Sequence, residues 1–573
     1  MGKSMDNYWR WHDFKGMDLE LRSELEAMKG DAGLIEESFG AGLEFGTAGL
    51  RGIIGAGTNR MNIYTVRKAT LGLARYVREN SPEPWSVAIS YDNRRKSRLF
   101  ADEAARVLAH NGVKALLFDE MQPTPLLSFA VLDCGASAGI MVTASHNPKE
   151  YNGYKVYWSH GGQVVEKHAY PLMRMFDEIE DELAVETMDL EEAMDKGLVL
   201  MLGEEVKERY MAKVLGLAEG LKLSPKSMGI PIVFTPLHGT GAKLVPEALE
   251  RAGFTGIRYV ESQMVPDTEF STTAKPNPEE PEVYRMGLEI AKGCGASLVM
   301  ATDPDADRLG AMSREKDGTF RLITGNQMGA LLTDYLISKP EAKLDGSVMI
   351  KTIVTSDLGA RVAAKAGVKV IDVLTGFKYI GELIDSFERQ GGGKFLFGYE
   401  ESYGYLAGGF VRDKDAVQIA LLVACMAASL SEKGMTLGDR LDALYEEHGY
   451  FVDEVVNISL AGIEGQRKIE RIMSSLRREP PFVVGVNRIL STADYMAGMV
   501  SFADGRDGVP TGLPESNVLK YVLEDGSWIC VRPSGTEPKL KIYIGAQARE
   551  RRQAQAKADS LKASSRQMVE DRY

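Results

Sequence analysis

Apolar and polar positions along the chain repeat one grammar three times. The first round runs WSVAISYD (85–92), then AARVLAHNGVKALLF (104–118), then CGASAGIMVTASHNP (134–148). The second runs GIPIVFTPLHG (229–239), LVPEALERAGFTGIRYV (244–260) and CGASLVMATDPDAD (294–307). The third runs DGSVMIKTIVTS (345–356), LGARVAAKAGVKVIDV (358–373) and GGGKFLFGYEES (391–402). Each round reads as an apolar strand, an amphipathic helix closed by glycine, a second strand, another helix and a third strand. The word CGAS stands before the third strand twice, at Cys134–Ser137 and Cys294–Ser297. Shared order and a shared place for an odd polar loop predict one α/β domain used three times.

In each round the odd loop follows the third strand, so it lies at a strand's carboxyl end, where open α/β sheets bind ligands. The first loop holds Ser145, the second Asp303, Asp305 and Asp307, and the third Glu400, Glu401 and Ser402. The tail follows different rules. YFVDEVVNISL reads as a strand, EGQRKIERIMSSLRR as a helix, and VLKYVLEDGSWICV as a hairpin around Asp525-Gly526. RPSGTEPKLKIY comes next, and a charged helix starts at about Arg549, which predicts a small α+β domain.

Composition narrows the classes. At 573 residues the chain exceeds what one core serves; 44% hydrophobic and 26% charged residues are ordinary for a globular protein. The net charge of −13 argues against sequence-independent nucleic-acid binding. Four scattered cysteines form no C-x-x-C pair, which fits a reducing cytoplasm and suggests neither zinc nor a disulfide framework. The N-terminus has no apolar signal core. The longest apolar run, AVQIALLVACMAASL, is too short to span a bilayer and reads as a buried helix, so no membrane partner is expected.

The loops carry candidate chemistry. DPDADR sets three carboxylates at alternate positions, an oxygen-rich arrangement suited to Mg²⁺. An EF-hand fails here, because Arg308 and Arg314 stand where its glycine and bidentate glutamate belong. GTGAKL and GGGKF lack the Walker spacing, and TASHN is no nucleophile elbow. His146 follows Ser145 directly. Side chains of sequence neighbours tend to diverge, so a triad-type relay is not expected. A serine attacking phosphorus can instead be served by a cation on the aspartates, helped by Arg308 and Lys155. Lys378, in TGFKYI, is the candidate for proton transfer to and from a sugar hydroxyl. In the tail, Arg532, Lys539 and Lys541 beside Ser534, Gly535 and Thr536 offer what a phosphate needs.

Taken together, TASHNP, DPDADR, GYEES and RPSGTEPK, in that order, resemble the α-D-phosphohexomutase superfamily, most closely its phosphoglucomutases. FGTAGLRG (Phe45–Gly52), YDNRRKS (Tyr91–Ser97), TPLHGTG (Thr235–Gly241) and KPNPEE (Lys275–Glu280) also look like family elements. The resemblance implies three similar α/β domains of mixed sheets flanked by helices and a C-terminal α+β domain resembling the TATA-binding-protein fold, around a central cleft. The expected boundaries are 1–204, 205–322, 323–446 and 447–573.

The resemblance also implies roles. Ser145 carries a phosphoryl group that passes to a sugar oxygen and returns from the other end of a glucose 1,6-bisphosphate intermediate. Mg²⁺ sits on Asp303, Asp305, Asp307 and the phosphate of Ser145. His146, Lys155 and Lys378 belong to the catalytic group. Glu400 and Ser402, with Glu401 between them, bind sugar hydroxyls. Arg51, Arg308, Thr375, Gly376, Arg532, Ser534, Gly535, Thr536 and Lys539 contact the substrate or its phosphates. The Glu-Glu-Ser loop goes with glucose phosphates within the family. Phosphomannomutase or phosphopentomutase activity, or a Mg²⁺-dependent sugar phosphatase, are the alternatives. The expected enzyme is cytoplasmic, a monomer or dimer, whose partners are small sugar phosphates.

Overall fold

The computed structural model describes residues 2–572 except 47, 48, 340, 341, 461 and 535–538, and gives only the backbone of 462 and 463. The chain forms two compact units. The first comprises Met1–Ile323, Phe377–Phe397 and Tyr403–Thr436; the second comprises Thr324–Gly376, Gly398–Ser402 and Leu437–Tyr573.

Two mixed sheets build the first unit. The six-stranded one runs, edge to edge, Gly49–Ile53, Tyr151–Trp158, Ala138–Val142, Ser86–Tyr91, Lys114–Phe118, Val199–Leu202. The five-stranded one runs Phe320–Ile323, Leu309–Arg314, Leu298–Thr302, Ile232–Thr235, Ile257–Tyr259. In both, the first strand of the repeat lies between the second and the third and is parallel to each. In the second unit Ser347–Thr352 pairs in parallel with Lys369–Val373. The end of the third strand, Gly398–Glu400, belongs to this unit. The strand order thus repeats in the first two rounds, and the third repeats the parallel pairing of its first two strands.

The local causes repeat too. The strands Ala138–Val142, Leu298–Thr302 and Ser347–Thr352 are buried on both faces, as their largely apolar composition favours. The helices Ser97–His110, Gly241–Arg251 and Asp357–Lys365 are each followed, two residues on, by a glycine at φ 71°, 97° and 76° (Gly112, Gly253, Gly367). That left-handed turn sends the chain back into the next strand, and a Cβ there would be strained.

Ahead of the first sheet, three helices (Gly2–His12, Leu19–Met28, Ala32–Phe39) add Tyr8, Trp11, Leu25 and Phe39 to its core. The Trp11 indole N–H donates to Glu182 Oε1 at 2.6 Å. The apolar run of the sequence is the helix Ala416–Glu432, buried along almost its whole length. Among the described residues no single helix is long and apolar enough to cross a membrane.

The C-terminal domain is an antiparallel sheet ordered Tyr450–Ser459, Lys539–Ala548, Trp528–Pro533, Leu519–Leu523, Asn487–Asp494, Met499–Phe502, Val509–Pro510. The predicted hairpin pairs Leu519–Leu523 with Trp528–Pro533. Alternation sorts its faces. Ile529, Val531, Ile542 and Ile544 pack under the helices Gly462–Arg478 and Arg551–Glu570. Cys530, Arg532, Lys541 and Tyr543 therefore point to the other side.

Candidate active site

The serine loop is held by buried groups. Ser145 has a φ of 51°, a conformation uncommon for residues other than glycine, and is 4% exposed. Its N–H donates to Thr143 Oγ1 at 2.8 Å, and the Thr143 hydroxyl donates to Asp92 Oδ2 at 2.6 Å. Arg94 donates to the carbonyls of Ser145, Asn147, Pro148 and Tyr151, clamping the loop by its backbone. Burial pushes the Asp92 carboxyl up and the Arg94 guanidinium down, and each is partly offset by the other's charge.

Ser145 Oγ donates to Asp303 Oδ2 at 2.6 Å, so the serine and aspartate loops meet within the first unit. The expected divergence of Ser145 and His146 does not occur: His146 Nδ1 lies 3.1 Å from Ser145 Oγ. The left-handed turn at Ser145 swings the next side chain back beside it. Burial first, then the charges of Arg308 and Arg51, hold the imidazole well below its ordinary pKa.

Asp303, Asp305 and Asp307 are all buried, with ligand oxygens within 4.8 Å of one another. Asp303 Oδ1 accepts the N–H groups of Asp307 and Arg308 at 3.1 and 3.0 Å, closing the loop on itself. Lys155 Nζ lies 2.7 Å from Asp305 Oδ2 and 3.4 Å from Asp307 Oδ2. Thr124 Oγ1 also donates to Asp305 Oδ2, at 2.8 Å. Burial and the two neighbouring carboxylates push Asp303 well above the usual range. Burial would raise Asp305 as well, but Lys155 holds it well below.

Asp305 Oδ1 and Asp307 Oδ1 are buried without a hydrogen-bond partner. Orphaned anionic oxygens are costly unless something cationic meets them. The trio therefore fits a hard divalent cation taking oxygen ligands.

Other predicted residues of the first unit are placed as follows. Arg51 is exposed, and its Nη1 donates to Asn147 Oδ1 at 2.9 Å, two residues past the serine. Arg308 Nη1 pairs with Glu279 Oε1 at 2.7 Å. Lys378 Nζ pairs with Glu166 Oε1 at 2.8 Å, and the Tyr379 hydroxyl donates to the same oxygen at 2.8 Å.

In the second unit, Glu400 is buried and Glu401 half-buried, with the Thr352 hydroxyl 3.3 Å from Glu401 Oε2. Ser402 is half-buried beside Tyr403, whose φ is 64°. The Thr375 hydroxyl is buried without a partner, and Gly376 has a φ of 125°, which favours glycine. Arg532 and Lys541 are cross-strand partners, and the Ser534 N–H donates to the Lys539 carbonyl at 2.7 Å. The charges of Glu401 and Arg532 act on the same two groups. They oppose each other on Tyr543, which burial has already raised, and on Cys530, pushed up to about 12 by burial first. Glu401 and Arg532 therefore share one surroundings. Gly535 and Thr536 lie outside the described residues.

Two groups escaped the sequence reading. Asp92 and Arg94 had a signal, the YDNRRKS stretch, but its loop-clamping role needs the fold. Lys414 had none: its Nζ lies 3.2 Å from Asp307 Oδ2, yet it stands 107 positions later in a loop with no distinctive pattern.

Family models for all four domains match: phosphoglucomutase/phosphomannomutase alpha/beta/alpha domain I at 42–183, domain II at 208–318, domain III at 324–448 and the C-terminal domain at 485–561. A Staphylococcus saprophyticus phosphoglucomutase is 38% identical over 513 residues, covering 89% of this chain and 92% of the relative. A phosphoglucomutase from Staphylococcus aureus is 39% identical over 508 residues, covering 89% and 90%. Among solved structures, a phosphoglucomutase/phosphomannomutase family protein from Burkholderia thailandensis has a TM-score of 0.66 at 19% identity, covering 92% of this chain and 97% of that one. The open form of parafusin, a Paramecium phosphoglucomutase, has a TM-score of 0.66 at 18% identity, covering 92% and 95%. The chain belongs to the phosphoglucomutase/phosphomannomutase family.

Proposed function

We propose that this protein interconverts glucose 1-phosphate and glucose 6-phosphate through a phosphoserine at Ser145 and a glucose 1,6-bisphosphate intermediate. The observation that carries this reading is the 2.6 Å contact between Ser145 Oγ and Asp303 inside a buried trio of aspartates. The relatives named phosphoglucomutase support glucose as the sugar.

In the first half-reaction the bond from phosphorus to Ser145 Oγ breaks as a bond to a sugar oxygen forms. The sugar hydroxyl gives up its proton and Ser145 Oγ gains one. In the second half, Oγ attacks phosphorus at the other end of the bisphosphate, loses its proton, and the departing sugar oxygen takes one up. Protons and phosphoryl groups balance over the cycle. Asp303, Asp305 and Asp307 would hold Mg²⁺, which would supply charge neutralisation during phosphoryl transfer. His146 Nδ1, 3.1 Å away, steadies Oγ. Arg94 and Asp92 fix the loop, and Lys155 holds Asp305. Lys378, ion-paired to Glu166, is our candidate for moving the sugar's proton.

In this reading Glu400, Glu401 and Ser402 bind sugar hydroxyls, and Thr375 and Gly376 lie against the substrate. Arg532, Ser534, Gly535, Thr536 and Lys539 hold the phosphate that is not reacting. Arg51 and Arg308 add positive charge for phosphate groups. The four-domain division at 204, 322 and 446 and a cytoplasmic setting belong to the same proposal.

A coupled assay on glucose, mannose and ribose 1-phosphates, each with glucose 1,6-bisphosphate and Mg²⁺, tests it. We expect glucose 1-phosphate to turn over at least tenfold faster than the others. Faster turnover of mannose or ribose phosphate would reassign the sugar. Release of free phosphate in place of isomerised product would replace the mutase with a phosphatase.

A further inference from the structure

We propose that Lys414 is a positioning residue of the cation site: it occupies one oxygen of Asp307 so that this carboxylate offers a bound ion a single oxygen. The inference rests on the reading that the aspartate trio binds a divalent cation.

The carboxylates at this site are divided in a consistent way. Asp307 Oδ2 faces two ammonium groups, Lys414 Nζ at 3.2 Å and Lys155 Nζ at 3.4 Å. Asp305 Oδ2 faces Lys155 at 2.7 Å and the Thr124 hydroxyl at 2.8 Å. The remaining oxygens, Asp305 Oδ1 and Asp307 Oδ1, are buried and accept no hydrogen bond; Arg308 Nε stands 3.9 Å from the latter. Each of these two carboxylates thus has one oxygen engaged by the protein and one left over.

Lys414 is itself fixed from behind. It is 7% exposed, and its Nζ lies 3.1 Å from Asp413 Oδ1. Asp413 is 1% exposed, and its other oxygen accepts from the Tyr157 hydroxyl at 2.7 Å and Gln163 Nε2 at 2.8 Å. Asp413 and Lys414 come from the loop entering the buried helix Ala416–Glu432, and Tyr157 and Gln163 from the first sheet and its following turn. Parts far apart in the chain therefore converge to hold one ammonium against one carboxylate oxygen.

This arrangement has a consequence for ion choice. Ca²⁺ takes about six to eight oxygens and readily uses both oxygens of a carboxylate, whereas Mg²⁺ prefers about six single oxygens in strict geometry. An ammonium on Oδ2 blocks two-oxygen binding by Asp307. It also lowers the negative charge that would otherwise hold any cation indiscriminately. Partners behind metal ligands commonly tune affinity in this way.

The test is calorimetric titration of the full chain with Mg²⁺ and with Ca²⁺, for the parent, Lys414→Met and Asp413→Asn, with circular dichroism to establish folding. The ratio of the Ca²⁺ to the Mg²⁺ dissociation constant is expected to fall at least fivefold in Lys414→Met. It should fall more than twofold in Asp413→Asn, where the lysine keeps its charge but loses its anchor. If Lys414→Met does not fold, Asp413→Asn decides alone. A ratio within twofold of the parent in the folded variants overturns the proposal, as does equal weakening of both ions. If the parent binds neither ion, the cation reading itself falls and this inference with it.

Discussion

Ser145 Oγ and Asp303 Oδ2 are 2.6 Å apart although 158 positions separate them in the chain. Each stands in the loop after the third strand of its own repeat, and each loop contains a non-glycine residue with positive φ: Ser145 at 51° and Ala306 at 49°. Held in such conformations, side chains can be aimed where regular structure would not point them, and the surrounding contacts offset the strain. If the hydroxyl is the phosphoryl carrier, Ser145→Ala should reduce kcat by about 10³-fold or more, while sugar-phosphate binding stays within about fivefold of the parent. Stopped-assay turnover and calorimetric binding measure the two separately. Near-parental kcat in the alanine variant would remove Ser145 from the reaction.

The two orphaned oxygens of Asp305 and Asp307 predict dependence on a divalent ion. Chelation should abolish turnover, and added Mg²⁺ should restore it. Asp305→Asn keeps the shape but removes a charge from the ligand set, so the Mg²⁺ dissociation constant should rise about tenfold or more, as charged ligands dominate hard-cation sites. Turnover that survives exhaustive chelation would contradict this.

Much of this arrangement is readable from the chain. The triplicated grammar gives the strand order, because an apolar strand, a glycine-closed helix and a second strand have few ways to pack. The three aspartates cluster because DPDADR is one loop, and a local pattern survives into space. What the sequence hides is long-range partnership. Lys414 on Asp307, Glu166 on Lys378 and Arg94 on the serine loop depend on tertiary placement, which no spacing rule encodes. The closeness of Ser145 Oγ and His146 Nδ1 is hidden for a related reason. Divergence of neighbouring side chains holds for extended and helical backbone, and Ser145 has neither.

Lys378 and Glu166 form a second testable pair, 2.8 Å apart, with the lysine 11% exposed. A positioned proton-transfer group contributes about 10²–10⁴-fold, so Lys378→Met should lower kcat by that order with KM changed much less. Glu166→Gln removes the partner charge but keeps the lysine. It should shift the pH profile of kcat while lowering its maximum less than the lysine variant does. A pH profile unchanged in Glu166→Gln would separate that carboxylate from the reaction.

Acid sensitivity follows from three buried or half-buried histidines. Burial is the largest cause in each case: it lowers His160 and His168 to about 4 and His146 well below its ordinary value. The unfolded chain binds these protons near pH 6.5 and the folded chain does not. Their contribution is therefore fully present above pH 6.5 and is lost as pH falls toward 4. After discounting partial exposure, His160 and His168 each contribute on the order of 1 kcal/mol. Urea midpoints at pH 7.5, 5.5 and 4.5 should decline, and His160→Gln should flatten part of that slope. A slope identical in the variant would assign the acid loss to other groups.

Tyr399, fully buried and immediately before Glu400, is gripped by two glycines. A Cβ at Gly329 would meet its ring carbons at 2.2 Å, and one at Gly359 would meet its hydroxyl at 2.4 Å. Both glycines lie on helices of the second unit, Gly325–Ile337 and Asp357–Lys365, so the ring is wedged between two backbones and sets where the strand ends. Gly329→Ala cannot be absorbed by a flexible side-chain tip, because the obstacle is a rigid ring. Overpacking of this kind costs about 1–3 kcal/mol and displaces what it meets. The variant should unfold at lower temperature and, by moving Glu400 with Tyr399, raise KM for the sugar phosphate several-fold more than it lowers kcat. Gly346→Ala, at a turn where nothing lies within 4 Å, controls for a general glycine effect: its positive φ of 71° costs some stability but leaves KM alone. A Gly329→Ala protein with parental KM would mean that Tyr399 does not position Glu400 for the proposed sugar contact.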